Sequence, residues 1–238
     1  LRQMWDKQLI YRGHKIVPYC YRCGTPLSSH EVAQNYVDTK DPSVFIKFRV
    51  IDELSDLSSD LARGKTYFLA WTTTPWTLIS NVALAVNPDA EYVAVFHDGE
   101  HLILARELLA ATGLNEEPIV ASFRGSDLAN INYEPLFNYM PLDKRAHYVI
   151  SGKFVTMEDG SGIVHIAPAF GEEDYQVGME NNLPFVCAVD DRGNFVPEVT
   201  KWAGRNVKEA DPEITLDLRD RGLLFHITNY LHAYPFRS

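Results

Sequence analysis

Residues 159–175, DGSGIVHIAPAFGEEDY, are the stretch around which this sequence is organised. The residue order predicts a glycine turn, a short apolar strand with one histidine, a proline break and a helix that opens with acidic residues. Alternate side chains of a strand share a face, so Ile163, His165 and Ala167 point one way. The pattern therefore places His165 and Asp174 at the mouth of one strand-to-helix turn.

Ordinary structural roles also account for both polar residues. A lone histidine in an apolar strand is more often a satisfied core residue than a functional one. An acid such as Asp174 in the first turn of a helix usually complements the helix dipole and satisfies free amides. This stretch alone leaves the structural and the functional interpretation open.

Length and composition indicate a globular chain. Its 238 residues can bury a full core as one large domain or two small ones, and 46% are hydrophobic. No run of about 18 uncharged apolar residues occurs, which excludes a membrane-spanning helix and predicts no membrane partner. The chain begins at Leu1 without a methionine or a secretory signal, so we expect it to be part of a longer protein.

The charge and the cysteines restrict the partners and the compartment. The net charge is -10, without a dense basic run, and phosphate contacts require clustered cations. Any nucleic-acid role must therefore be local or shared with parts outside this chain. Three cysteines, Cys20, Cys23 and Cys187, are too few for a disulfide framework and are typical of a reducing cytoplasm, which is the predicted location.

Cys20 and Cys23 are separated by two residues and followed by Gly24, a spacing that resembles half of a zinc knuckle. A tetrahedral zinc site wants a second pair of ligands, which this sequence lacks. The thiols are therefore a vestigial site or a half site whose partners lie outside the chain. A redox pair is disfavoured, because residues 24–26 do not start a helix whose N-terminus would lower a thiol pKa.

Hydrophobic periodicity predicts more strands than helices. Strands are predicted at 43–51, 65–72, 82–86, 91–96, 101–104, 119–123, 147–150, 185–189 and 223–231. Helices are predicted at 1–12, at 106–111 and from Pro212 onward, where Asp211 is the expected N-cap. No phosphate-binding glycine loop of the P-loop or dinucleotide type occurs. We therefore expect an α+β fold, a β-barrel-centred mixed sheet with surrounding helices.

Three consecutive threonines, Thr72, Thr73 and Thr74, stand where a predicted strand ends at Pro75. Each hydroxyl both donates and accepts, so the cluster could hold a water and a carbonyl oxygen together. Threonine also favours strands for its own sake, which is the plainer explanation. The tryptophans on either side, at positions 71 and 76, would wall a pocket or fill the core.

Two motifs together resemble a known family. Residues 71–78, WTTTPWTL, and the stretch 160–175 are similar to the editing domain of isoleucyl-tRNA synthetases, the insertion called connective peptide 1. The related enzymes for valine and leucine carry an arginine in the threonine run and lack the histidine of the second motif. Ser161 departs from the family, which usually has threonine there.

The resemblance covers nearly the whole chain and implies its organisation. Residues 1–30 would lead in from the synthetase catalytic core, 31–222 would form the editing domain, and 223–238 would return to the core. The signature sequences for ATP chemistry are missing, so no ATP-dependent ligase activity is expected. Editing would need no cofactor, and zinc at Cys20 and Cys23 would belong to the full-length enzyme.

The resemblance also implies a reaction. A hydrophobic synthetic site rejects valine poorly, since one missing methylene is worth only about 1–3 kcal/mol, a limit for which this enzyme class is the standard example. A second site would hydrolyse the ester of valyl-tRNA(Ile), whose 3' end would be the partner together with the rest of the parent synthetase. Two alternatives stay open: a non-catalytic module that binds the tRNA 3' end or the aminoacyl group, and a small zinc-dependent structural domain.

Residue roles follow from the same resemblance. Asp174 would bind the substrate α-ammonium as an ionised carboxylate. The threonines at 72, 73 and 74 would position the ester carbonyl, the attacking water or the terminal ribose. His165 would line the side-chain pocket and make it too short for isoleucine, with Trp76 and Ala167 also contacting the substrate. Whether His165 or a ribose hydroxyl of the substrate assists the water is left open.

Overall fold

The computed structural model describes residues 1–10, 15–20, 24–28, 30, 36–62 and 64–235. Its α-helices are α1 (Arg2–Asp6), α2 (Glu172–Glu180) and α3 (Val207–Asp220). Shorter 3-10 helices span Ser59–Ala62, Pro75–Ser80, Arg106–Leu108 and Gly125–Leu128. The strands are β1 (Tyr19–Cys20), β2 (Thr25–Pro26), β3 (Tyr36–Arg49), β4 (Lys65–Thr72), β5 (Ala83–Val86), β6 (Glu91–His97), β7 (Glu100–Ala105), β8 (Ile119–Arg124), β9 (Tyr148–Ser151), β10 (Ile163–Ile166) and β11 (Leu224–Pro235).

All strands but β1 and β2 form one mixed sheet within the described residues. Seven of them run in the order β8-β6-β7-β4-β10-β5-β9, and β3 pairs with β4 on one side and with β11 on the other. The sheet curls into a half-barrel with few helices. The expected α+β fold, a β-barrel-centred mixed sheet with surrounding helices, is therefore confirmed, with the barrel half closed.

The topology explains why the two sequence motifs meet. Strands β4 and β10 pair in parallel, with Val164 opposite Trp71. The carboxyl ends of two parallel strands lie at the same edge of a sheet. The threonine run begins at Thr72, the last residue of β4, and the stretch from Ala167 to Asp174 follows β10, so both motifs emerge side by side.

A glycine turn sets the start of β10. Gly160 and Gly162 have φ angles of +77° and +72°, a region that side chains other than glycine rarely adopt. A Cβ added at Gly162 would lie 2.4 Å from the Cβ of Ala105, and the carbonyl oxygen of Gly162 accepts a hydrogen bond from the Tyr92 hydroxyl at 2.6 Å. Ser161 between them is buried. The turn predicted from sequence thus fixes where the histidine strand begins.

The curled sheet buries apolar side chains on both faces. On the face that carries Ile163, helix α3 contributes Ile214 and Leu218 to the main core. On the opposite face, Ile166 packs with Val177 of helix α2. Ile163 and Ile166 thus point to opposite faces, as the predicted alternation requires.

Most predicted elements are present with small shifts of their ends, but β3 begins at Tyr36 and not at 43, and β11 ends at Pro235 and not at 231. The strand at 65–72 has the predicted limits, and the other strands between residues 82 and 150 differ by one or two residues. The helix expected over 1–12 covers Arg2–Asp6, with residues 11–12 outside the described part of the chain, and the helix expected at 106–111 is a 3-10 helix of three residues. The expected division at residues 30 and 222 stays a prediction.

Two predicted elements are wrong. Helix α3 begins after Asn206, whose Oδ1 accepts from the Lys208 amide at 3.1 Å, so Asp211 and Pro212 lie inside the helix and do not start it. The free energy gained by burying the apolar side chains of α3 outweighs the loss of the one main-chain hydrogen bond that Pro212 cannot donate. The apolar run 185–189 is not a strand, because it pairs only through an isolated bridge between Val189 and Phe195.

Candidate functional site

The threonine turn, residues 72–80, is held by a chain of hydroxyl contacts. Thr72 Oγ1 accepts from the Thr74 amide at 3.1 Å and lies 3.3 Å from the Thr74 hydroxyl, which lies 3.2 Å from that of Thr77. Thr73 is half-buried, and its hydroxyl has no hydrogen-bond partner in the part of the chain that the structure describes. Three hydroxyls are therefore fixed and one remains available to a ligand.

Thr77 determines which nitrogen of His165 carries the proton. The Thr77 hydroxyl donates its single hydrogen to the carbonyl oxygen of Thr74 at 2.7 Å. It can therefore only accept from His165 Nε2, which lies 3.0 Å away. This network assigns the proton of the neutral ring to Nε2. His165 Nδ1 is then an acceptor, and it is buried without a partner among the described residues.

Burial keeps His165 uncharged. Its side chain is 8% exposed, and desolvation lowers its pKa to about 4, because the imidazolium loses its hydration. The ring is therefore neutral across the physiological pH range. It is a fixed polar wall of the site and a weak base.

Asp174 folds back over the turn that precedes its helix. The N-cap of α2 is Gly171, which makes no side-chain cap bond, and Asp174 Oδ2 accepts from the Ala167 amide at 2.8 Å. A Cβ at Gly171 would lie 2.9 Å from Asp174 Cγ, so glycine leaves the room that the carboxylate needs. The aspartate thus satisfies the end of β10, and Ala167 takes part through its main chain.

The carboxyl group of Asp174 is less acidic than usual. Burial raises its pKa to about 6, the charge of Glu173 adds to the increase, and the hydrogen bond from Ala167 opposes it. No cation forms an ion pair with Asp174 within the described ranges. A desolvated carboxylate that lacks a cation is typical of a site that receives one from a ligand.

An aromatic contact joins the two turns. The rings of Trp76 and Phe170 meet edge to face with centroids 4.8 Å apart and an interplanar angle of 74°. The Trp76 amide donates to Oδ1 of Asp211, on helix α3, at 2.8 Å. The threonine turn is therefore attached both to the turn after β10 and to helix α3.

The space beside His165 is narrow. A recess of about 120 Å³, with no room for a water-sized molecule, lies between His165 and a set of mainly apolar side chains: Ile46, Phe48, Ala70, Trp71, Thr72 and Leu78. A larger cavity, of about 700 Å³ by the same measure, lies beside Val50, Asp52 and Thr66. Its described walls contain none of the predicted site residues, whereas the recess is lined by His165 and Thr72, so the chemistry favours the histidine side despite its smaller volume.

The structure brings the predicted site residues together. A direct hydrogen bond links His165 to the threonine turn, and the amide of Ala167, two residues further along the chain, donates to Asp174. Sequence reasoning missed Thr77, which lies 88 residues from His165, and Phe170. Both residues fall inside the quoted motifs, and the 3-10 spacing from Thr74 to Thr77 was the signal for the former.

The structure describes little of the proposed zinc pair. Cys20 is half-buried in β1, and Cys23 lies outside the described residues. Among the described residues, no group of three histidine, cysteine, aspartate or glutamate side chains could hold a metal ion. A zinc site in the full-length protein stays a prediction.

Within the described residues, no helix has the length and hydropathy to cross a membrane.

Comparison with solved structures agrees with the fold. The structure of GlLeuRS-CP1 matches with a TM-score of 0.65 at 15% identity, over 80% of this chain and 99% of that one. The editing domain of the cytosolic leucyl-tRNA synthetase of P. knowlesi matches with a TM-score of 0.63 at 11% identity, over 81% and 98%. At these identities the likeness shows a shared fold.

Comparison of sequences gives nearer relatives. The isoleucine–tRNA ligase of Clostridium kluyveri is 49% identical over 236 residues, and that of Clostridium acetobutylicum is 51% identical over 235. Each alignment covers 99% of this chain and 22% of the relative, so the chain spans about a fifth of their length. The resemblance found in the motifs is confirmed. The family model of the class I tRNA synthetases (I, L, M and V) matches residues 1–214, and the chain therefore belongs to that family.

Proposed function

We propose that this chain is an editing hydrolase that cleaves the ester of valyl-tRNA(Ile) as the proofreading part of an isoleucyl-tRNA synthetase. Water adds to the ester carbonyl, and the bond to the terminal ribose breaks, releasing valine and a tRNA with a free hydroxyl. An aminoacyl ester is already activated, so neither a covalent nucleophile nor a metal is required. The rest of the synthetase and the tRNA 3' end are the proposed partners.

One observation carries the proposal: the two turns that follow the paired strands β4 and β10 carry a fixed row of hydroxyls and a desolvated carboxylate without a cation among the described residues. Asp174 would bind the α-ammonium of the substrate, and that charge would lower its pKa from about 6 toward the ordinary range. The contact places an amino acid with its carbonyl beside the turn. It also selects substrates that carry a free ammonium group.

The threonine turn would hold the reacting atoms. The hydroxyls of Thr72 and Thr74 are already oriented by their mutual contacts, so they would meet the ester carbonyl or the water with little reorganisation. Thr73 offers a half-buried hydroxyl for the ribose or the water. Preorganised polar groups of this kind lower the barrier without a change of protonation.

His165 would act as a size filter. A histidine whose pKa is about 4 and whose Nε2 proton is committed to Thr77 is a poor general base at neutral pH. The recess beside His165 is closed in the free chain, so the substrate would have to open it, and the rigid ring would then limit its depth so that valine enters and isoleucine does not. Activation of the water would fall to a ribose hydroxyl of the substrate.

The test compares release of valine from valyl-tRNA(Ile) with release of isoleucine from isoleucyl-tRNA(Ile), using this chain at high concentration. Asp174→Ala is the inactive variant, and Glu173→Ala is its matched control, since Glu173 is an exposed carboxylate next to Asp174 on the same helix. We expect valine-selective release in the wild type and in the control. Binding of aminoacyl-adenosine analogues without any release would instead favour a non-catalytic binding module.

A further inference from the structure

The 3-10 helix Pro75–Ser80 begins with one amide that its own residues do not satisfy. Pro75 has no N–H group, and the Thr77 amide donates to the Thr74 carbonyl oxygen at 3.0 Å. Thr74 is the N-cap residue and makes no side-chain cap bond. The Trp76 amide is therefore the orphan donor that opens this helix.

Asp211 supplies the missing acceptor from another part of the chain. Its Oδ1 lies 2.8 Å from the Trp76 nitrogen, across a separation of 135 residues. Asp211 is not needed at the start of its own helix, where Asn206 is the N-cap. Its side chain is 17% exposed, and Lys208 Nζ is 3.9 Å away, beyond hydrogen-bond range. A shielded hydrogen bond to a carboxylate is roughly twice as strong as a neutral one.

This contact fixes the segment that carries the hydroxyl chain. Trp76 stands between Thr74 and Thr77, and the Thr77 hydroxyl meets His165 Nε2 at 3.0 Å. The Trp76 ring also packs on Phe170 of the neighbouring turn. A small rotation about Trp76 would therefore change the hydroxyl positions and the contact to the histidine together.

We propose that Asp211 is a positioning residue for the editing site, acting through the Trp76 amide and without contact to substrate. The inference rests on the proposed hydrolysis, and it makes helix α3 part of the machinery that orients the threonine turn. Because Asp174 lies on the other turn, loss of Asp211 should lower kcat and leave KM for valyl-tRNA(Ile) nearly unchanged.

The experiment combines amide hydrogen exchange at Trp76 with steady-state hydrolysis by the 238-residue chain. Asp211→Ala should expose the Trp76 amide to exchange and lower kcat by about 10- to 100-fold, the range for a lost hydrogen bond to a charged group. Asp211→Asn retains an acceptor oxygen and should restore both the protection and most of kcat.

Asp217→Ala is the matched control, because Asp217 is on the same helix and binds Lys201 and Arg221 without touching the threonine turn. It should lower the melting temperature and leave Trp76 exchange and kcat as in the wild type. An equal fall of kcat in the Asp217 variant would show general loosening of α3 and overturn the inference. Unchanged exchange and kcat in a folded Asp211→Ala chain would overturn it as well.

The two proposals fail separately. A wild-type chain that releases no valine, alone or within its full-length protein, refutes the proposed function. A wild-type chain that releases valine and is indifferent to the Asp211 substitution refutes only the positioning role. Hydrogen exchange needs no turnover, so it tests the hydrogen bond between the Trp76 amide and Asp211 in either case.

Discussion

The threonine turn and the turn after β10 lie at the same edge of the sheet, but different forces shape them. In the first turn, uncharged hydroxyls hold one another within 3.3 Å, and nothing in it titrates near neutrality. In the second turn, burial shifts two titratable groups in opposite senses, raising the pKa of Asp174 to about 6 and lowering that of His165 to about 4. One turn sets positions, and the other sets charge.

The difference also separates what each turn does to folding. Between about pH 4 and 6, the folded state binds more protons at Asp174 than the unfolded state, so this group favours folding as the pH falls. His165 does the reverse between about pH 6.5 and 4, where the unfolded state binds more protons. The two contributions therefore partly cancel in the pH dependence of the free energy of unfolding.

The largest expected effect is at Asp174. Replacing it by alanine removes the proposed partner of the α-ammonium, and loss of one member of a buried charge pair typically costs about 2–5 kcal/mol, or about thirtyfold to several thousandfold in kcat/KM. Hydrolysis of valyl-tRNA(Ile) measures the loss. Hydrolysis at the wild-type rate by a folded Asp174→Ala chain would remove this residue from the mechanism.

Replacing Asp174 by asparagine should remove the ammonium partner as well, but it should raise the free energy of unfolding. The ionised carboxylate is unfavourable in the folded state at neutral pH, and a shift of about two pKa units corresponds to at most about 3 kcal/mol. Asp174→Asn should therefore unfold at a higher urea concentration than the wild type at pH 7.5. The gain should shrink toward pH 4, and a less stable variant at pH 7.5 would contradict the assigned pKa.

The next effect is on selectivity and comes from His165. His165→Ala should lengthen the pocket and let the chain hydrolyse isoleucyl-tRNA(Ile), which a site that admits only smaller products otherwise excludes. Valine release should persist, since the ammonium site is intact. The two rates are measured on the same enzyme preparation, and continued rejection of isoleucine would refute the filter role.

The two motifs of the candidate site could be found from the sequence alone, but the contacts that hold them together could not. The quoted motifs are local, and the turn formed by Gly160 and Gly162 can be predicted without knowing which strand lies next to it. The parallel pairing of β4 with β10 joins positions 71 and 164, and nothing in either segment specifies it. The pKa shifts follow from burial by those distant segments, so they could not be predicted either.

Asp211 shows how a correct local rule gives a wrong assignment. An aspartate before a proline is a good helix start, and that pattern predicts a helix beginning at Pro212. Asn206 and a buried apolar stripe begin it earlier, and the aspartate caps the Trp76 turn of another segment instead. The strand predicted at 185–189 is wrong for a similar reason. A segment with strand propensity forms a strand only where a neighbouring strand is available to pair with it.

A smaller effect is expected from pH. The free enzyme should lose kcat/KM about tenfold per unit below pH 6, as the carboxyl group of Asp174 takes up a proton. In kcat the same transition should move to lower pH, because the bound ammonium favours the ionised form. His165 should be silent above about pH 5. A kcat/KM profile that is flat down to pH 4.5 would contradict the role of Asp174.

The smallest effect is expected from Thr77, and it sharpens the contrast between the turns. Thr77→Val removes the acceptor for His165 Nε2 and the donor to the Thr74 carbonyl, two neutral hydrogen bonds of about 0.5–1.5 kcal/mol each. The nearly isosteric change should lower kcat about tenfold and keep the transition near pH 6, since no charge is involved. Thr77→Ser restores the hydroxyl and should restore kcat. If Thr77→Val moved the pH profile instead, the separation of positioning and charge between the two turns would be wrong.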